Sequence, residues 1–223
     1  MNRVDLLVFD LDGTLIDSKR DLANAGNAAR GHMGMPPLAD ARVWSYVGNG
    51  APVLVRRLLG AEATEAQVQG ALEFFLEYYR DHKLEYTALY PGVRESLDRL
   101  RDAGVRMAVL TNKPVNISCA ILEGLGVGGH FQRVYGGNSF DFKKPHPIGV
   151  EKLIEECGAS RERTMMVGDS SVDVQTARNA HIESCGVTYG FQPETLAAVP
   201  PDLLVDRMED LADWAIGGPA GRG

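Results

Sequence analysis

The feature that most constrains this chain is a short, uninterrupted apolar run, Leu6-Leu7-Val8-Phe9, that ends in Asp10-Leu11-Asp12-Gly13-Thr14. A run that is apolar at every residue predicts a strand buried on both faces, as in a parallel sheet covered by helices. In open sheets of that kind, ligands bind beyond the carboxyl ends of the strands. Residues two apart on extended backbone point the same way, so Asp10 and Asp12 bring two carboxylates to one place. Such a pair supplies what phosphoryl transfer through an acyl phosphate needs: one carboxylate to attack and one to handle a proton. Gly13 lets the backbone turn tightly enough for amides to approach an anion. The same residues would also serve simply to cap a strand and open a turn, so the rest of the chain must decide between the two.

Downstream, the rhythm changes twice. From about Asp17 to Leu89 no strand pattern stands out; helices are predicted at Asp21 to Met33, Ala41 to Val47, Ala51 to Leu59 and Thr64 to His82. In the last of these, Val68, Ala71, Leu72, Phe75, Leu76 and Tyr79 follow the three-four spacing of a buried face, and Thr64 with Gln67 forms a capping box. This block is too long for an ordinary crossover and reads as an inserted helical module. After Tyr90-Pro91-Gly92, helices alternate with strands at Val105 to Leu110, Arg133 to Tyr135, Thr164 to Val167, Ser184 to Thr188 and Leu203 to Val205. The pattern predicts an α/β fold: a doubly wound, mainly parallel, Rossmann-like sheet carrying a small helical cap. The expected boundaries are residues 1–16 and 88–216 for the core, 17–87 for the cap and 217–223 for a flexible tail without apolar residues to bury.

Composition removes several alternatives. A net charge of -7 over 223 residues argues against nucleic acid or an anionic membrane as partner, while leaving room for a small anionic metabolite. No apolar stretch approaches the roughly 20 residues that a membrane span needs, and the amino terminus has no signal-peptide pattern. Cys119, Cys157 and Cys185 have no metal-ligand spacing and read as reduced structural thiols, so the expectation is a cytoplasmic protein, monomeric or homodimeric.

Three further strand ends carry polar groups. Val109-Leu110 leads into Thr111-Asn112-Lys113-Pro114, where Thr111 offers a hydroxyl and backbone amides to a phosphate oxygen and Pro114 opens a helix. Lys143-Lys144-Pro145 places a lysine on extended backbone, able to neutralise a phosphate and a nucleophilic carboxylate. Met165-Met166-Val167 runs into Gly168-Asp169-Ser170-Ser171-Val172-Asp173. Carboxylates beside Asp10 and Asp12 give the hard oxygen ligands that Mg²⁺ prefers, and a cation would offset the repulsion between aspartates and a phosphate.

Taken together, DLDGT (Asp10 to Thr14), Thr111, Lys144 and GDSSVD (Gly168 to Asp173) resemble the haloacid dehalogenase superfamily, over nearly the whole chain. The resemblance implies Asp10 as nucleophile, Asp12 as general acid and base, and Thr111 with Lys144 as a phosphate clamp; it is also what selects Lys144 over Lys143. It implies Mg²⁺ held by the Asp10 carboxylate, the Asp12 main-chain carbonyl and the Asp169 carboxylate, with Asp173 supporting this shell through Lys144 or a bound water. Gly13 and Asn112 would contact substrate. Asp12 favours phosphate esters over halides, whose departure needs no acid.

Outside these motifs, Tyr46-Val47-Gly48-Asn49-Gly50-Ala51, Arg56-Arg57, Gly136-Gly137 and Val187-Thr188-Tyr189-Gly190 are similar to the bacterial phosphoglycolate phosphatases. That similarity implies hydrolysis of 2-phosphoglycolate to glycolate and phosphate through an aspartyl-phosphate. In it, amides of the Gly48–Gly50 loop and the Arg57 guanidinium would receive the substrate carboxylate. The alternatives are a phosphatase of another small ester, a nucleotide or pyrophosphate, a β-phosphoglucomutase, and a non-catalytic binding protein on the same scaffold.

Overall fold

The computed structural model describes residues 2–217; of the expected tail, residues 218–223 lie outside them. Six parallel strands form the main sheet: β1 (Leu6–Phe9), β4 (Arg106–Leu110), β5 (Arg133–Tyr135), β6 (Thr164–Gly168), β7 (Glu183–Val187) and β8 (Leu203–Val205). Their spatial order is β5-β4-β1-β6-β7-β8. β1 thus sits in the middle, with later strands added on either side, and the chain reverses its direction of winding there. In a doubly wound sheet that reversal opens a crevice at the strands' carboxyl ends.

Alternation of side chains explains why β1 is apolar throughout. Leu7 and Phe9 join Met107, Val109, Met165 and Val167 in the core on one face of the sheet. Leu6 and Val8 join Ala108, Leu110 and Met166 in the core on the other. Both faces are covered, so no position in the strand tolerates a polar residue. The second face is closed by α7 (Ile148–Glu156) and α8 (Ser171–Asn179), whose Val150, Leu153 and Ala177 belong to its cluster. On the first face lie α5 (Val93–Asp102), α6 (Val115–Gly124) and α9 (Met208–Ala215).

The inserted block is helical, as its periodicity predicts: α1 (Lys19–His32), α2 (Asp40–Trp44), α3 (Ala51–Leu59) and α4 (Glu65–His82). Thr64 caps α4, and the reciprocal bonds of a capping box with Gln67 are present. One correction concerns the ends of the block, where no strand was expected. Residues Ile16–Asp17 (β2) and Ala88–Leu89 (β3) pair antiparallel, so the outgoing and returning chain form a short ribbon. Two-residue strands carry no period and leave no trace in a sequence pattern. The buried Asp21 carboxylate pins the return, accepting bonds from the Tyr86 and Thr87 amides and the Thr87 hydroxyl.

No described helix is long and apolar enough to cross a membrane. Cys157 and Cys185 are buried and Cys119 half-buried, and all are free thiols.

Candidate active site

Register alone gathers the acidic residues. Phe9 lies opposite Val109 on one side and Val167 on the other, so the residues that follow them emerge side by side at the sheet's carboxyl rim. The Asp10 amide continues the ladder, donating to the Val167 carbonyl at 2.8 Å. One carboxylate oxygen from each of Asp10, Asp169 and Asp173 lies within 4.8 Å of the others. The turn that permits this needs glycine. Gly13 has φ +85°, and a Cβ there would stand 2.3 Å from Asp169 Oδ2.

Lys144 is the countercharge. Its Nζ lies 2.8 Å from Asp10 Oδ1 and 2.6 Å from Asp173 Oδ1, with the lysine and Asp173 side chains both 2% exposed. Asp173 also caps α8, its other oxygen accepting from the Ser170 hydroxyl and amide. One carboxylate thus pairs with Lys144 and caps α8. Asp169 Oδ2 accepts from the Phe191 and Gln192 amides at 2.6 and 3.2 Å.

Electrostatics show what this cluster is suited to hold. Burial, reinforced by Asp173 and only partly offset by Lys144, raises Asp10 to about 6 from an ordinary 3.8. Burial, with Asp173 and Asp10 nearby, raises Asp169 to about 8. Burial alone would depress Lys144, yet Asp10 and Asp173 outweigh it and hold the ammonium above its usual value. The buried Asp10 Oδ1 also has no well-aligned hydrogen bond. A divalent cation fits: it would favour the ionised carboxylates, and the donor set is all hard oxygen.

Asp12 faces a different partner. Lys113 Nζ lies 2.7 Å from both of its carboxylate oxygens, and the Ser18 hydroxyl donates to Oδ1 at 2.5 Å. Asp12 is therefore held away from the three-carboxylate cluster. Neither Lys113 nor Ser18 stands out as a site residue in the sequence. Lys113 does leave a signal, a lysine beside the strand-end Thr111-Asn112, whereas Ser18 leaves none.

Thr111 and Asn112 reach the same cavity, which Asp10, Asp12, Lys144 and Asp169 also line. The Thr111 hydroxyl accepts from the Lys113 amide at 3.3 Å. Asn112 Nδ2 donates to the Gly48 and Lys144 carbonyls at 3.0 and 3.1 Å. It is one of three core side chains that grip the Val47–Asn49 loop of the helical block. Gln192 donates to the Val47 carbonyl at 2.9 Å and Lys143 to the Asn49 carbonyl at 2.7 Å. The carbonyls of this loop thus face core side chains, while Gly48 and Gly50 line the cavity.

Arg57 departs from expectation. It is exposed, donates to the Tyr46 carbonyl at 3.3 Å and does not line the cavity. Helical phase explains the correction: Leu54, Val55 and Leu58 take the inward positions of α3, and residue 57 falls on the outer side. The inner wall offered by the helical block is mostly apolar, with Leu22, Leu54, Phe75 and Leu76, and one phenol, Tyr79.

A doubly wound sheet with acids clustered at its topological switch point, beneath a helical block inserted after the first strand, defines a Rossmann-like protein with its site between sheet and insert. The chain belongs to the haloacid dehalogenase-like hydrolases, whose family model matches residues 7–187. It is 40% identical over 220 residues to a phosphoglycolate phosphatase of Vibrio vulnificus (strain CMCP6), covering 94% of this chain and 95% of that protein. A phosphoglycolate phosphatase of Chromobacterium violaceum is 38% identical over 219 residues, covering 96% of this chain and 97% of the relative. Among solved structures, a predicted phosphoglycolate phosphatase of Haemophilus somnus 129pt superposes with a TM-score of 0.89 at 33% identity, covering 95% of this chain and 97% of the other.

Proposed function

We propose that this chain is a Mg²⁺-dependent phosphatase that hydrolyses 2-phosphoglycolate to glycolate and phosphate through an aspartyl-phosphate on Asp10. The observation that carries the chemistry is the meeting of Asp10, Asp169 and Asp173 oxygens within 4.8 Å of one another, with the Lys144 ammonium against two of them. The substrate is supported by the names of the relatives, which match almost end to end.

In this reading an Asp10 carboxylate oxygen attacks phosphorus. The new bond to Asp10 forms as the ester P–O bond breaks, and Asp12 delivers a proton to the departing glycolate oxygen. Asp12 then takes a proton from a water molecule, whose oxygen attacks phosphorus and releases Asp10. Lys144 steadies Asp10 and phosphate charge, and Thr111 and Asn112 offer polar contacts at the adjoining strand end. The Asp10 and Asp169 carboxylates and the Asp12 carbonyl would hold Mg²⁺, which when bound neutralises and orients the phosphate. Residues 17–87 act as a cap over a core of 1–16 and 88–216, excluding bulk water once substrate is inside. The enzyme would work in the cytoplasm, as a monomer or homodimer, on a small phosphorylated metabolite.

The test is Mg²⁺-dependent phosphate release from 2-phosphoglycolate beside nucleotides, sugar phosphates and pyrophosphate. The expected result is a kcat/KM for phosphoglycolate at least about 100-fold above the others, or about 2.7 kcal/mol of transition-state discrimination. A flat profile, or another winner, removes this substrate while leaving the phosphatase chemistry.

A further inference from the structure

The cations lining the cavity are Lys144 and Lys113. Lys144 is taken up by Asp10 and Asp173. Lys113 has Asp12 as its one charged partner among the described residues, with its third proton on the side of Tyr79. An ammonium has three protons to donate, and the two oxygens of Asp12 account for two of them. Against this lysine stands Tyr79 of α4, whose ring centroid is 4.7 Å from Nζ. Tyr79 is 1% exposed, and its hydroxyl has no well-aligned hydrogen bond, only the Lys113 ammonium beside it. A buried hydroxyl without a well-aligned partner is costly, and one turn earlier the same helix fills an equivalent place with Phe75, stacked on Tyr79 at 5.8 Å. Packing alone asks for no oxygen at residue 79.

Resting on the phosphoglycolate reading above, we propose that Lys113 and Tyr79 together form the receptor for the substrate's carboxylate. The remaining ammonium proton and the phenolic hydroxyl each donate to it. The chemistry of the substrate places it there. For Asp12 to protonate the leaving oxygen, that oxygen must sit at Asp12, and a single methylene separates it from the carboxyl carbon. The carboxylate therefore falls beside Asp12, where Lys113 lies.

Among side chains, the rival nitrogen donors are spoken for, which leaves the amides opening α3 as the competing receptor. Asn112 Nδ2 and Gln192 Nε2 hold the Val47–Asn49 loop, and Arg57 is outside the cavity. The apolar Leu54, Phe75 and Leu76 around the pair exclude water and strengthen both bonds. One donor comes from the sheet rim and the other from the helical insert, so a bound carboxylate ties the two together.

The test compares 3-phosphonopropionate, a non-hydrolysable analogue that retains the carboxylate, with propylphosphonate, which lacks it. Binding is measured by calorimetry on the Mg²⁺-loaded protein. Neither analogue needs Asp12 chemistry, so a loss of acid–base function leaves their ratio unmoved. The wild type should prefer the carboxylate analogue. Lys113→Met should reduce that preference about 10- to 100-fold and Tyr79→Phe about 3- to 10-fold, the range of hydrogen bonds to charged groups. Tyr79→Phe leaves the Lys113–Asp12 pair and the stack on Phe75 in place, so it carries the test even if Lys113→Met does not fold. If the wild type hydrolyses phosphoglycolate and the variants keep the full preference, the receptor is overturned and the amides opening α3 inherit its role. If the wild type does not hydrolyse phosphoglycolate, the parent reading fails instead, and the receptor falls with its substrate.

Discussion

The cavity has two unlike walls. The sheet rim is a dense array of charge in which Asp10, Asp169 and Asp173 follow strand ends and Lys144, from the loop before α7, pairs with two of them. The helical insert faces it with leucine and phenylalanine, broken by the Tyr79 hydroxyl. The rim is fixed by six strands in register, so its charges cost little reorganisation when a phosphate arrives. The opposite wall is joined to the core through a two-residue ribbon and side-chain bonds to the Val47–Asn49 loop. On the proposals above, chemistry belongs to the sheet's rigid wall, and choice of substrate is shared between Lys113 on that wall and Tyr79 on the other.

The largest effect should come from the rigid wall. Asp10→Asn removes the nucleophile while preserving shape, and kcat should fall by more than about 10⁴-fold with the fold intact by circular dichroism. A variant retaining a tenth of wild-type activity would take Asp10 out of the covalent step. Next, Lys144→Met leaves Asp10 and Asp173 without their cation. Urea unfolding of the metal-free variant should show a loss of about 3–5 kcal/mol at neutral pH, shrinking as the acids protonate. A loss under 1 kcal/mol would mean the rim does not depend on this charge balance.

A third test works through pH. Asp10 and Asp169 are raised from 3.8 to about 6 and about 8, so the folded metal-free protein binds these protons more tightly than the unfolded chain. Their stabilising contribution is complete below the unfolded value and is lost as pH rises through the folded ones. Mg²⁺ needs the ionised carboxylates, so the rise in Tm on adding it should grow between about pH 5 and pH 8. An equal rise at both ends would place the ion elsewhere. The smallest effect should come from Arg57→Ala, which touches neither wall. We expect kcat/KM for phosphoglycolate within about twofold of wild type and stability within about 0.5 kcal/mol. A larger rise in KM for carboxylate substrates than for neutral esters would return Arg57 to the site.

The two walls also differ in how plainly the sequence announces them. At the rim, a functional residue must follow a buried strand directly, so Asp10, Thr111 and Asp169 stand out against the apolar runs that deliver them. The partners of those residues are harder to read. Nothing local links Lys113 to Asp12, because their meeting depends on strand order, and Ser18 reaches Asp12 through the turn that follows it. The insert's wall is harder still. Phe75 and Tyr79 share the spacing of any buried helical face, and only the hydroxyl without a well-aligned hydrogen bond, visible in three dimensions, separates a ligand contact from core packing. Arg57 shows the opposite error: a cation beside a plausible loop draws notice, while the phase of α3 turns it outward.

The most direct test of the central claim is to trap the covalent intermediate. The Mg²⁺-loaded enzyme, mixed with 2-phosphoglycolate, is quenched in acid and reduced with borohydride, which converts an aspartyl-phosphate to homoserine. We predict homoserine at position 10 in the peptide spanning Leu6 to Thr14, dependent on substrate and absent from Asp10→Asn. Steady turnover with an unmodified Asp10, or with the modification at another carboxylate, would contradict the assignment of the rigid wall to covalent chemistry.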